Sequence, residues 1–183
     1  MPLVGVLFAT QLLIVGALTL RSARVRSILM NIPMPLWIGV NELRVLGVQF
    51  LLEAATGRLS EPFPYSAGLG DIVTRALAIP LALSVARSRK LPVNAIARWN
   101  IFGAVDLIAA IALGITSAAG SPVQLIHAGV GSQAMQYLPL CLVPTVLVPF
   151  YLITHGIVAS QLRVRRSAAG RPSLGIRIAR VTS

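Results

Sequence analysis

The side chains able to do chemistry in this sequence are few: five carboxylates, two histidines and one cysteine. Glu42, Glu53, Asp71 and Asp106 stand in apolar stretches, and so do Arg44, Arg75 and His155. Carboxylates near arginine and histidine can move a proton, hold the polar group of a ligand, or pair with one another. Spacing orders these groups. Glu42, Gln49 and Glu53 fall at i, i+7 and i+11, within about 20° of one helical face, with Arg44 nearly opposite. Asp71 and Arg75, at i and i+4, suit a local ion pair. Asp106 shares its face with Gly103, Ala109, Ala110 and Ser117, small residues that let another helix come close. His155 shares a face with Tyr151 and Val148, and Asn41 adds an amide next to Glu42.

Other chemistries lack their residues. A single cysteine, Cys141, excludes an intramolecular disulfide and a cysteine-only metal cluster, and between Leu140 and Leu142 it reads as a small apolar residue. "AGLGD" is too short for the dinucleotide pattern, and no Lys-Ser/Thr follows it. No serine has a histidine and an aspartate at the membrane edge on its own side.

The elements that must position these groups are membrane spans. The hydrophobic fraction is 56% and 11% of residues are charged, against about one quarter in a soluble domain. Such a chain lacks the polar residues to cover a globule, so the bilayer is its solvent. A spanning helix needs about 20 apolar residues. Five stretches qualify: Leu3 to Leu20, Leu36 to Gly57, Ala67 to Ala86, Trp99 to Ala118 and Leu138 to Ser160. The expected fold is an all-α, polytopic transmembrane bundle over residues 1–160, followed by a basic tail over 161–183. No internal repeat is evident, so an inverted-repeat transporter has no support.

The net charge of +11 is not spread evenly. Arg21, Arg24 and Arg26 follow the first span, and Arg87, Arg89, Lys90 and Arg98 lie between the third and fourth. Arg163, Arg165, Arg166, Arg171, Arg177 and Arg180 follow the fifth. All of these fall on one side, and Arg58 stands alone on the other. The positive-inside rule then places the N-terminus outside and the tail in the cytoplasm, attracted to anionic lipid. Basic residues follow the first span rather than precede it, which reads as a retained anchor and not a cleaved signal. The basic–aromatic interleaving of a nucleic-acid surface is missing, so nucleic acid is not an expected partner. The outer loop "GSPVQLIHAGVGSQAMQYLP" carries no charge and is expected to lie along the membrane or dip into it. Pro139, Pro144 and Pro149 predict kinks in the last span, for packing shape or to open a cavity.

Depth then groups the polar residues. At about 1.5 Å per residue, Glu42 and Arg44 lie roughly 10–13 Å above the cytoplasmic end of their span. Asp106 lies at a similar depth and His155 slightly shallower, while Gln49, Glu53, Asp71 and Arg75 form a second layer nearer the outside. A lone charge at the membrane centre costs about 2.5–3.5 kcal/mol by insertion scales, so these groups must be paired, hydrated or protonated. The expected pairs are Arg44 with Asp106, and Arg75 with Asp71 or Glu53. His155 is expected either to titrate beside Asp106 and Glu42 or to donate to a carbonyl freed by Pro149.

The runs "ELRVLGVQFLLEAATGRLSEPFPYSAGLGD", "WNIFGAVDLIAAIALG" and "LPLCLVPTVLVPFYLITH" resemble a group of small bacterial multi-pass membrane proteins with no assigned activity. The resemblance covers roughly Asn41 to His155 and implies a bacterial cytoplasmic (inner) membrane; it supplies no catalytic residue. Three functions fit these features. One is an accessory or anchor subunit packing against other membrane proteins or itself, with the polar residues as glue. Another is a small proton-coupled carrier using Glu42, Asp106 and His155. The third is a redox-linked subunit binding a quinone or a haem near Tyr151 and His155. His127 and His155 belong to opposite membrane sides, so a haem would be held by one histidine. The sequence names no cofactor.

Overall fold

The computed structural model describes residues 2–88 and 91–169, and no strand forms among them. Helix α1 spans Pro2–Arg21, α2 Ala23–Asn31, α3 Met34–Gly39, α4 Gly47–Ala55, α5 Phe63–Arg87, α6 Val93–Ser117 and α7 Val148–Ala169. A 3₁₀ stretch, Val40–Leu46, joins α3 to α4, and a π-helical turn, Val143–Leu147, leads into α7. Four stretches are long and apolar enough to cross a membrane: Leu3–Arg21, Phe63–Arg87, Val93–Ser117 and Val143–Ser167. Apolar side chains face outward on these helices: Leu13 is 71% exposed and Leu20 81%.

Prolines shift the ends of the expected spans. The third helix begins at Phe63 rather than Ala67, with Pro64 in its first turn, where a missing N–H costs no helical bond. The fourth starts at Val93 rather than Trp99, directly after Pro92. The fifth starts at the π turn and not at Leu138, so Pro139 lies outside it. Pro149 remains inside and has no N–H to give the Thr145 carbonyl one turn back. Gln11 Nε2 of α1 donates to that carbonyl instead, which ties α1 to the π-helical turn ahead of α7. The expected donor for this carbonyl, His155, is engaged elsewhere.

The stretch expected as one α-helix from Leu36 to Gly57 is helical in three pieces. Gly39 and Gly47, poor helix formers, flank the 3₁₀ part. Three residues per turn stack positions i and i+3. Burial follows that period: Ile38, Asn41, Arg44, Gly47, Phe50 and Glu53 are all buried. The same winding undoes the expected common face of Glu42, Gln49 and Glu53. The 3₁₀ advance of about 120° per residue, against about 100°, rotates Glu42 by roughly 80° relative to Glu53. Gln49 is exposed, Glu42 half-buried and Glu53 buried.

Helix α5 packs along this whole stretch, then against α6, which in turn packs on α7. Three apolar clusters result among the described residues. One includes Met34, Ile38, Ala82, Ile96, Trp99, Val158 and Leu162. A second holds Phe50, Leu59, Phe63, Ala67, Met135 and Leu140. A third, Leu107, Val148 and Tyr151, joins α6 to α7.

The uncharged segment between α6 and α7 folds back onto the helix ends. Ser132 Oγ donates to Gly114 O at 2.5 Å, and the N–H groups of Leu125 and Ile126 both reach Thr116 O. Helix α7 also continues past Ser160. Gln161 and Leu162 are buried, and Gln161 Nε2 donates to Met30 O and Ile32 O at 3.2 and 2.8 Å, closing the end of α2. The packed part therefore extends beyond residue 160. Arg89, Lys90 and residues 170–183, with Arg171, Arg177 and Arg180, lie outside the described residues.

Gln11→Leu removes the one donor that α1 offers to the Thr145 carbonyl among the bonds above. The substitution is expected to lower stability by about 1 kcal/mol. Unfolding in mild detergent checks this; an unchanged midpoint would mean that α1 is held by lipid alone.

Candidate functional site

The centre of the polar layer is Arg44. It is 1% exposed and reaches its partners because the 3₁₀ turn stacks it over Asn41 on the inner face. Its Nε donates to Asp71 Oδ1 at 2.6 Å, and its Nη2 lies 2.5 Å from the same oxygen. Nη2 also pairs with Asp106 Oδ2, and Nη1 donates to Gly103 O at 3.4 Å. The guanidinium lies 5.6 Å from the Tyr151 ring centroid. One cation thus joins the broken stretch, α5, α6 and α7. The expected pair of Arg44 with Asp106 forms, and Asp71 joins it as a third member.

The other expected pairs do not form. Arg75 pairs with Glu42 at 2.5 Å, not with Asp71 or Glu53. Glu53 is bound by Gln49 Nε2 at 2.6 Å and by Arg58, whose Nη2 donates to it at 3.0 Å. The two expected layers therefore interleave. The cause is the early start of α5: Asp71 lies about 12 Å from its first residue, two turns deep rather than one. The i+4 neighbour Arg75 then lies deeper still and meets Glu42.

His155 lies next to this cluster without an ion pair among the described residues. Its Nδ1 donates to Asn100 Oδ1 at 3.0 Å, and its ring is tilted 45° to that of Trp99, with centroids 5.1 Å apart. Trp99 Nε1 in turn donates to Thr74 O at 3.0 Å. Asp106 and Glu42, expected as its anionic neighbours, are engaged with Arg44 and Arg75. Tyr151 is buried, and its hydroxyl finds no hydrogen-bond partner among the described residues.

Three glycines make room for these side chains. A Cβ on Gly70 would strike the Asp106 carboxylate, and one on Gly47 would strike the Asp71 side chain. A Cβ on Gly103 would lie 2.6 Å from His155 Cε1 and 2.7 Å from its Nε2. Gly47 and Gly70, with Thr74, Trp99 and Asn100, were not among the expected site residues. A signal for the glycines existed: a glycine inside a helix costs about 1 kcal/mol against alanine and usually has a packing reason.

An apolar cavity of about 510 Å³ opens above the cluster. Val4, Gly5 and Phe8 of α1 form one wall, Phe63, Leu107 and Ala110 another, and the segment from Gly120 to Gln136 the rim. Asp71 is the one ionisable side chain lining it among the described residues. A separate small void of about 20 Å³, lined by Arg44, Asp71 and Tyr151 among others, has room for a single water. No group of three or more His, Cys, Asp or Glu side chains with metal-binding geometry occurs among the described residues.

The shared guanidinium makes its members unequal. Arg44→Leu leaves two buried carboxylates facing each other and is expected to cost about 3–5 kcal/mol, while Asp106→Asn leaves a one-to-one pair and costs far less. Replacing all three by leucine is expected to recover much of the folded yield in detergent. Equal losses for the two single variants would contradict a shared cation. Gly70→Ala, which collides with Asp106, is expected to be severe, and Gly39→Ala, whose Cβ meets nothing within 4 Å, close to neutral.

Comparison with curated proteins and comparison with solved structures each return no match. Residues 1–163 match the family described as Domain of unknown function (DUF8737), and the chain belongs to that family.

Proposed function

We propose that this protein is a five-span membrane protein that holds one amphiphilic molecule in its apolar cavity, with the molecule's polar end against Asp71. The cavity is the observation that carries this. Its volume falls within the roughly 300–1,000 Å³ of small-molecule sites, and such sites join apolar walls to a few placed polar groups. The charge at its floor selects the polar end. Arg44 faces two carboxylates, so the ionised triad carries one negative charge in excess. A head that donates hydrogen bonds or carries positive charge fits it; a carboxylate or phosphate head does not.

The fifth crossing is the stretch from Met34 to Ala55. Its two α parts and its 3₁₀ part add up to about 36 Å, enough for a hydrocarbon core of about 30 Å. Basic residues on one side support a cytoplasmic C-terminus, and the cavity then opens toward the outside. The quoted runs resembling bacterial multi-pass proteins support the bacterial inner membrane. A second reading, an accessory subunit packing on other membrane proteins, is favoured by α1: none of Leu3–Arg21 is buried, against 44% of the best window in Val143–Ser167. Stoichiometric copurification in mild detergent would favour that reading.

Dodecylamine is expected to raise the unfolding temperature of the protein in lipid nanodiscs, and dodecanoic acid to leave it unchanged. Gly5→Leu fills the cavity from α1, where a Cβ meets nothing within 4 Å, and is expected to abolish the shift. A shift that persists in Gly5→Leu would place the amine in the bilayer and defeat the proposal. A reporter active only outside, fused to the C-terminus, is expected to be silent; activity would overturn the orientation.

A further inference from the structure

Gln11 of α1 binds the Thr145 carbonyl in the π-helical turn that leads into α7. Beyond it a groove of about 720 Å³ runs between α1, α2 and α7. Its walls include Gly16 of α1 and Gly156 of α7, and a Cβ on either would meet nothing within 4 Å. Thr19 and Ser160 also line it, but their hydroxyls donate to Val15 O and Gly156 O of their own helices. The walls therefore offer a chain-shaped ligand an apolar path with the local polar groups already satisfied. Arg26 of α2 also lines it, and has no carboxylate partner among the described residues. Arg24, also exposed, lies on the same short helix.

We propose that this groove is a binding site for one anionic phospholipid. An acyl chain lies along the gap at Gly16 and Gly156, and the phosphate meets Arg26. The charge on the groove's wall selects the occupant: an unpaired arginine lining an apolar groove matches a negative headgroup on an apolar chain. Arginine also matches phosphate geometry better than a point charge does. The site is separate from the outer cavity, which has α5 and α6 for walls and a carboxylate at its floor, and the two are tested independently.

The test is native mass spectrometry of the full chain after exchange into mixed micelles of detergent with phosphatidylglycerol or phosphatidylcholine. The wild type is expected to retain one phosphatidylglycerol, with a preference of about fivefold over phosphatidylcholine, the effect of one basic residue near a lipid surface. Arg26→Gln is expected to keep a bound lipid and lose the preference. Gly156→Leu fills the groove and is expected to lose the lipid, with unfolding in lipid-free detergent unchanged; if it misfolds, Gly16→Leu fills the same space from the opposite wall. Equal retention of the two lipids by the wild type would overturn the proposal, as would undiminished retention by the filled variant. A dimer that dissociates in Gly156→Leu would overturn it too, by seating a second copy in the groove.

Discussion

The Arg44 guanidinium, held between Asp71 and Asp106, sets the geometry of the bundle. A lone buried arginine is costly, and its partners come from two other helices. Satisfying one therefore fixes the depth and rotation of the others. Several local features follow from this. The 3₁₀ turn brings Arg44 onto the inner face, Gly47 and Gly70 admit the two carboxylates, and Gly103 lends its carbonyl. Lipid tails give helices no hydrophobic reason to prefer one partner over another, so a polar pin of this kind supplies specificity that apolar packing in a membrane does not.

The sequence made the helical class, the positions of the long apolar helices and the Arg44–Asp106 pair readable, because each depends on a quantity that is linear along the chain. Apolar run length gives spans, and residue rise gives depth. The rest depended on winding and on helix starts, which composition does not fix. Val40–Leu46 has an apolar, helix-compatible composition, yet it winds at three residues per turn. That single change removes the common face of Glu42, Gln49 and Glu53. The start of α5 at Phe63 moved Asp71 and Arg75 inward by a turn, and both exchanged partners as a result. A clue lay in the spacing of three between Ile38, Asn41, Arg44, Gly47, Phe50 and Glu53, hidden because the types at those positions are not uniformly apolar.

Proline and glycine divide the labour in this bundle. Pro149 frees the Thr145 carbonyl, and Gln11 takes it, so a break in one helix becomes the attachment point of another. Glycines act in two opposite ways. At Gly47, Gly70 and Gly103 the missing Cβ is filled by a neighbour's side chain, and these positions close the core. At Gly5, Gly16 and Gly156 the missing Cβ leaves space, and these positions line the cavity and the groove. These three lie on α1 or α7, so the seam between α1 and its neighbours holds free volume.

That arrangement connects stability to the proposed ligand. The triad has one cation for two carboxylates, so it is electrostatically incomplete when both are ionised. The cavity reaches it at Asp71, which is 15% exposed on its side chain, while Arg44 is sealed off entirely. A donor or cation arriving through the cavity would meet the excess charge at the one member open to it. Binding there would complete a cluster that already holds three helices together, so the proposed ligand would stabilise the fold by the same contacts that recognise it. A purely structural pin would need no such opening: a second arginine, or one carboxylate fewer, balances the charge without a cavity. The imbalance and the cavity occur together at Asp71, and a site for a positively charged or hydrogen-bond-donating head accounts for both.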